Sequence, residues 1–309
     1  MKSVCLAILN YNGRKHLEAL LPTAVVAANN YAGKCSILVL DNKSTESDVE
    51  WMKREYPSVR VEEAPENDFL FSYNWLLPRL QEEVVVILNN DLRVDPDFIH
   101  PLVKHFHSPD VFAVSASSYD WEGQEKTIGP AQLTYNNGFY GWSFDQERQE
   151  LCHTLFASGG FMAVDRLKFI ELGGFNRLFY PAYCEDLDLG FRAWRRGWRS
   201  IYEPESIVWH RESASWSVSK KSRPNKLNLR NSLLFQWASL PMSQDRYKRY
   251  WSTLKLIIAG LYRKDALWLS ILVSSWKNWL QIRSCYDAQK VSRDELNKII
   301  SAIALPVIH

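Results

Sequence analysis

Three short apolar runs in the first third of the chain each stop at a polar side chain: Val4–Leu9 at Asn10, Ile37–Leu40 at Asp41, and Val84–Leu88 at Asn89-Asn90-Asp91. Continuous apolar runs of this length read as strands buried on both faces. Helical patterns lie between them. Lys15–Ala28 carries Leu17, Leu20, Leu21 and Ala24 on one side, Val49–Tyr56 follows Ser44 or Thr45 as a candidate cap, and Phe69–Leu80 forms a third. Val59–Val61 reads as a further short strand, Asp97–Phe106 as a helix and Val111–Ser115 as a fifth strand. Strands separated by helices need crossover connections, so the first half reads as a Rossmann-like parallel sheet. Ligands bind such sheets beyond the carboxyl ends of the strands. Asn10, Asp41 and Asp91 therefore stand on the expected ligand shelf. No Gly-x-Gly-x-x-Gly follows the first strand, which disfavours a dinucleotide cofactor.

Further along, residues 118–150 have weak periodicity and read as loops or a hairpin. Order returns at Phe156–Val164, followed by a helix from Arg166 that stops at Gly173-Gly174. Glu185–Arg196 is a strong helix with acids in its first turn, Arg192, Arg195 and Arg196 in its last, and Gly197 beyond; both ends complement the helix dipole. Ile201–Tyr202 and Ile207–Trp209 read as short strands, and helices are expected at 226–240, 245–262 and 265–285.

The net charge of +2 over 309 residues hides a division. Residues 1–217 carry 21 Lys+Arg against 30 Asp+Glu, a net −9, while residues 218–309 carry 16 against 5, a net +11. This places the boundary between an acidic first domain, 1–217, and a basic helical extension, 218–309. The extension mixes Trp237, Trp251, Trp268, Trp276 and Trp279 with its cations. Trp favours membrane interfaces, so an anionic membrane surface is the preferred partner and nucleic acid is not expected. Lys220, Lys221, Arg223, Lys226 and Arg230 are candidates for lipid phosphates or an acidic lipid-linked acceptor. The plain alternative is a set of solvated helices that pack on the first domain or form a homodimer.

Neither Leu254–Leu261 nor Ala266–Trp276 approaches the roughly 20 apolar residues that cross a bilayer. The N-terminus lacks a long apolar run and a cleavage site, and the five cysteines form no Cys-x-x-Cys pair. These features point to a cytoplasmic protein, peripheral on the inner face of the cell membrane.

Asp91, preceded by two Asn, offers hard oxygen ligands suited to Mg²⁺ or Mn²⁺ shared with substrate phosphates, although a lone acid there also caps turns. His210, flanked by Trp209 and Arg211 at a strand end, is either structural or completes the coordination at Asp91, a role more natural with Mn²⁺. Capping explains one or two acids at a helix start. Glu185, Asp186 and Asp188, after the aromatic loop Phe179–Tyr183, exceed that need. Asp186 is the candidate general base, Glu185 an acceptor-orienting group and Asp188 structural. Ser158-Gly159-Gly160 permits close backbone approach to a sugar, or simply a tight turn.

Asn10-Tyr11-Asn12-Gly13, Asp41-Asn42-Lys43-Ser44-Thr45, Asn89-Asn90-Asp91, Gly159-Gly160-Phe161, Glu185-Asp186-Leu187-Asp188 and Trp209-His210 occur in the order found in inverting family-two glycosyltransferases. Over roughly residues 1–215 the chain resembles the bacterial, rhamnosyltransferase-like branch that builds surface polysaccharides. The resemblance implies a GT-A fold: α/β, with a mixed, mostly parallel Rossmann-like sheet flanked by helices. It implies a hexosyl transfer from a dTDP- or UDP-sugar to a glycan or lipid-linked acceptor. Asp41 would contact the pyrimidine, Asn10 and Tyr11 would line the nucleotide pocket, and Asn90 would lie near the ribose. Asp91 and His210 would hold the metal and Asp186 would be the base. Asn89 stands where the family usually has the first acid of Asp-x-Asp, leaving one carboxylate at the metal.

Two other readings fit parts of the pattern. A sugar-1-phosphate nucleotidyltransferase would need a glycine-rich basic loop after the first strand, and Asn10–Lys15 has a single Gly. A non-catalytic carbohydrate-binding or membrane scaffold protein would bind nucleotide without turnover.

Overall fold

A computed structural model describes residues 1–45, 48–136, 139–211, 226–239, 246–262, 270–277, 292–305 and 307. Strand β1 (Val4–Asn10) pairs in parallel with β2 (Cys35–Asp41) on one side and β4 (Val84–Asn89) on the other, and β3 (Arg60–Glu63) extends the sheet beyond β2. Period-two alternation divides β1 between two cores. Val4, Leu6 and Ile8 meet Leu17, Leu20 and Leu21 of α1 (Arg14–Asn30), whereas Cys5 and Ala7 meet Phe71, Tyr73 and Leu76 on the opposite face. Burial on both faces is why these strands read as unbroken apolar runs.

Beyond β4 the sheet becomes mixed. Its order is β10-β12-β6-β11-β4-β1-β2-β3, with β5 (Leu92–Val94) paired to β12 and β7 (Lys126–Ile128) to β6. Here β6 is Val111–Asp120, β10 Cys152–His153, β11 Phe161–Asp165 and β12 Arg199–His210. Strand β11 runs antiparallel to both β4 and β6, while β12 runs parallel to β6. A separate hairpin of β8 (Ala131–Asn136) and β9 (Phe139–Phe144) occupies the stretch expected as loops or a hairpin. Further helices are α2 (Asp48–Glu55), α3 (Ser72–Leu76), α4 (Ile99–Val103), α5 (Arg166–Glu171), α6 (Glu185–Arg195), α7 (Lys226–Ser239), α8 (Arg246–Tyr262) and α9 (Arg293–Ala304).

Several expectations are corrected. The helix read over Phe69–Leu80 is three short turns, 3-10, α and 3-10. Pro78 in the last turn, which lacks a backbone N–H, contributes to that break. The two short strands at Ile201–Tyr202 and Ile207–Trp209 are one strand, β12, whose register shifts between Glu203 and Ile207. That irregularity re-aims its distal half toward β5. Most of the helix read at 265–285 lies outside the described residues; 270–277 is helical. Helix α9 had no counterpart in the sequence reading, although Ser292 caps it by accepting from Glu295 N at 3.1 Å.

Described parts of the extension join a third core. Leu234 and Phe235 of α7 and Leu296 and Ile299 of α9 cluster with Leu187, Phe191 and Trp194 of α6. Helix α6 approaches Phe156 closely at Gly190, where an added Cβ would lie 2.5 Å from Phe156 Cβ and 2.9 Å from Leu155 O. Helix propensity favours Gly190→Ala by roughly 1 kcal/mol, but overpacking against backbone costs about 1–3 kcal/mol. Gly190→Ala is therefore expected to lower the denaturant midpoint, and an unchanged or raised midpoint would contradict this packing.

Candidate active site

Parallel register aligns the ends of the central strands: Asn10 lies beside Asp41, and Leu9 beside Asn89. A buried polar network fills the crevice beyond them. Asn10, fully buried, donates to Asp48 Oδ2 at 3.1 Å and to Asp41 Oδ1 at 3.4 Å, and accepts from Asn90 Nδ2 at 2.9 Å. Asp41, 2% exposed, accepts from Ser44 N at 3.0 Å and Ser44 Oγ at 2.5 Å. Tyr11 stands out into solvent at 47% exposure. A Cβ at Gly13 would sit 2.0 Å from Asn90 Nδ2 and 2.6 Å from Asn10 Oδ1, so a larger residue would displace this amide pair. The Gly13 amide also donates to Asp48 Oδ2 at 3.1 Å. Sequence reading missed Asp48, which it left just ahead of a surface helix; the signal available was an acid at that helix start.

Asp91 and His210 meet because β5 and β12 pair antiparallel, with His210 opposite Leu92. Arg211 N donates to Asp91 O at 2.9 Å and extends the ladder by one bond. His210 Nε2 then lies 3.3 Å from Asp91 Oδ2. Asp91 Oδ1 is buried and has no hydrogen-bond partner among the described residues. Such an orphan is destabilising unless a ligand or ion satisfies it. A carboxylate oxygen left open beside an imidazole suits a divalent cation whose other ligands come from phosphate and water. Among the described residues no group of three or more His, Cys, Asp or Glu side chains is placed to hold a metal ion; Asp91 and His210 are a pair.

A chain of close contacts links Asp91's strand end to the acids of α6. Asn89 N donates to Gly160 O at 2.8 Å, and a Cβ on Gly160 would come within 2.8 Å of Asn89 Nδ2. Next door, Gly159 N donates to Asp186 Oδ2 at 3.2 Å, and Asp186 Oδ1 accepts from Leu187 N at 2.8 Å. Burial nonetheless pushes the Asp186 carboxyl above the ordinary aspartate range, and those two N–H groups only partly offset it. Glu185 is 5% exposed with Oε2 unpartnered among the described residues. Burial, then the neighbouring Asp186 charge, raises its carboxyl well above the glutamate range. Asp188 instead accepts from Arg192 Nε at 2.7 Å, one turn along. Asp91 and His210 are thus one pair, Glu185 and Asp186 a second, and Asn10, Asp41 and Asn90 a third group beyond the ends of β1, β2 and β4.

The loop before α6 is held from the extension, for which the sequence reading preferred a membrane surface and kept packing on the first domain as the alternative. Asn231 of α7, fully buried, donates through Nδ2 to Phe179 O (2.7 Å), Ala182 O (2.7 Å) and Tyr183 O (2.9 Å). Arg230 donates to Tyr180 O and to Asn231 Oδ1, so this cation, read as a candidate for lipid phosphates or an acidic lipid-linked acceptor, grips the same loop. Tyr183 and Cys184 both have positive φ, 73° and 68°, a strained path that needs such restraint. Asn231→Ala removes the two Nδ2 hydrogens that these three carbonyls share and loosens the loop that leads into Glu185 and Asp186. Turnover is expected to fall ~10–100-fold, as for lost supporting contacts at other sites; unchanged turnover in a folded variant would show that the loop keeps its place without it. Lys220, Lys221 and Arg223 lie outside the described residues.

The model of "Glycosyltransferase like family 2" matches residues 2–225. The chain is 25% identical over 238 residues to the N-acetylglucosaminyl-diphospho-decaprenol L-rhamnosyltransferase of Mycobacterium tuberculosis, covering 67% of this chain and 75% of that protein. It is likewise 25% identical over 224 residues to the O-antigen biosynthesis protein RfbC of Myxococcus xanthus, covering 67% of this chain but 17% of that one. Among solved structures, GalNAc-T7 with UDP, GalNAc and Mn²⁺ superposes with a TM-score of 0.59 at 14% identity, over 80% of this chain and about half (49%) of its own. A mannosyltransferase of Pyrobaculum calidifontis in complex with GDP-Man and Mn²⁺ gives 0.53 at 16% identity, over 98% of this chain and 86% of its own. At these identities the structural likeness shows the fold, a GT-A arrangement with a mixed sheet flanked by helices.

Proposed function

The chain belongs to glycosyltransferase-like family 2, and from that premise we propose that it is an inverting hexosyltransferase acting from a nucleoside-diphosphate sugar onto a hydroxyl of a glycan or lipid-linked acceptor in surface polysaccharide synthesis. The relatives include a rhamnosyltransferase and an O-antigen biosynthesis protein, which supports that cellular role, and the fold's solved neighbours carry UDP or GDP-Man, which supports a nucleoside-diphosphate-sugar donor, here proposed as a dTDP- or UDP-sugar. The observation that carries the reading is the disposition of two carboxylates. One, Asp91, keeps an open buried oxygen beside His210, and the other, Asp186, is held by backbone N–H groups at the start of α6.

Asp91 and His210 would hold Mn²⁺ or Mg²⁺, which when bound offsets negative charge developing on the departing nucleoside diphosphate. The remaining roles belong to the chain itself. Asn10, Asp41 and Asn90 fix the strand ends that receive the nucleotide, with Asp41 proposed at the pyrimidine, Asn90 at the ribose and Tyr11 at the pocket edge. Asp186 removes the proton from the acceptor hydroxyl as it attacks the anomeric carbon from the face opposite the leaving group. One displacement inverts that carbon without a covalent enzyme intermediate. Glu185, adjacent to it and with its carboxyl raised by burial and by the Asp186 charge, orients the acceptor.

The deciding experiment screens nucleotide sugars for acceptor- and Mn²⁺-dependent release of nucleoside diphosphate and reads the product anomer by NMR. Release with inversion supports the proposal. Retention would overturn the single displacement, and nucleotide binding without turnover would favour the scaffold reading.

A further inference from the structure

No helix among the described residues is long and apolar enough to cross a membrane, yet one side of α8 carries a row of exposed apolar residues. Tyr247, Trp251, Leu254, Ile258, Leu261 and Tyr262 are 77%, 59%, 43%, 55%, 57% and 89% exposed. Their spacing of four, three, four and three residues, closing on the 261–262 pair, places them within a stripe about 100° wide on a 3.6-residue helix. A globular protein does not expose a contiguous apolar stripe of this kind without a partner for it.

We propose that this face of α8 lies flat in the headgroup region of an anionic lipid bilayer. Charge selects that occupant over a second copy of the chain. Residues 246–262 contain Arg246, Lys248, Arg249 and Lys255 and no acid, within an extension of net +11. Two copies packed through α8 would set these like charges against each other, whereas anionic headgroups complement them. Aromatic content agrees: Tyr247, Trp251 and Tyr262 have the amphipathic rings that settle at the bilayer interface. Lys255 Nζ lies 5.7 Å from the Trp251 ring centroid, the arrangement of a cation snorkelling beside an interfacial indole. Such a seat brings a lipid-linked acceptor and the enzyme to the same surface. The surface itself stands whether or not the transferase reading holds, because its test reads lipid binding and not turnover.

The full-length chain is mixed with vesicles of phosphatidylcholine alone or with about one-third phosphatidylglycerol, and flotation is measured at low and high salt. Binding to the anionic vesicles, weakened by salt, is expected. The double variant Trp251→Glu/Ile258→Glu, altered only at exposed positions, should bind them ~10-fold or more weakly while releasing nucleoside diphosphate from donor with a soluble acceptor at the parent rate. No binding at low salt, or equal binding by the double variant, overturns the proposal. A dimer by light scattering that the double variant converts to monomer, with flotation unchanged, would assign the stripe to a second copy instead.

Discussion

Asp186→Asn is expected to reduce transfer by ~10²–10⁴-fold, the usual contribution of a positioned general base. At 1.36 kcal/mol per tenfold, that is about 3–5 kcal/mol of transition-state stabilisation. The substitution is nearly isosteric, but it is not free of local effects. The carboxylate accepts from both Gly159 N and Leu187 N, and an amide has one acceptor oxygen to offer them. One lost bond costs about 1 kcal/mol, too little to account for the expected loss of rate. Donor affinity and melting temperature therefore discriminate: both should stay close to the parent while kcat collapses. Retained turnover would remove Asp186 from its role.

The pH profile gives a second reading of the same residue. A base must be ionised, and burial lifts the Asp186 carboxyl above the ordinary aspartate range. The rate should therefore fall with decreasing pH on a limb displaced upward from that range. Because Glu185 and Asp186 interact, the limb reports the pair. In Asp186→Asn that limb should vanish from the residual rate.

Asp91→Ala should act on the opposite side of the reaction. Removing supporting groups around bound metals weakens affinity ~10–100-fold, so loss of a direct carboxylate ligand should exceed about 100-fold in Mn²⁺-dependent donor binding. The structure makes this cleaner than many acid-to-alanine changes. Asp91 Oδ1 has no partner among the described residues, and Oδ2 faces His210 at 3.3 Å. Deletion thus removes an unsatisfied buried atom, and the fold should tolerate it. Titrating the donor nucleotide by calorimetry with Mn²⁺ and again with chelator checks the assignment. Parent affinity should drop under chelator to the level of Asp91→Ala, and the variant should be indifferent to it. Equal Mn²⁺-dependent affinity in the two proteins would refute Asp91 as a metal ligand.

The two pairs of residues were legible to different degrees. Asp91 announced itself by following an apolar strand, and Glu185 and Asp186 by crowding a helix start. Nothing local indicated how deeply Glu185 is buried, since the burial of a side chain at a helix start is set by what packs around it in the assembled fold. Asn231 was invisible for a related reason: an Asn inside a helix reads as a solvent-facing residue until three carbonyls from a distant loop are found beside it. Arg230 was a candidate for lipid phosphates or an acidic lipid-linked acceptor because its charge was visible; its hydrogen bond to Tyr180 O was not.

By itself the sequence determined the alternation of strands and helices, the polar residues at the strand ends and the division of charge at about residue 217. These follow from side-chain periodicity and composition, which each segment carries within itself. Only the tertiary structure decided that β11 enters the sheet antiparallel, that β12 is one strand bent at its middle, and that His210 faces Asp91 across β5. Pairing between distant strands depends on which edges are free once the local elements have formed, and apolar periodicity records that a strand is buried without recording its neighbour.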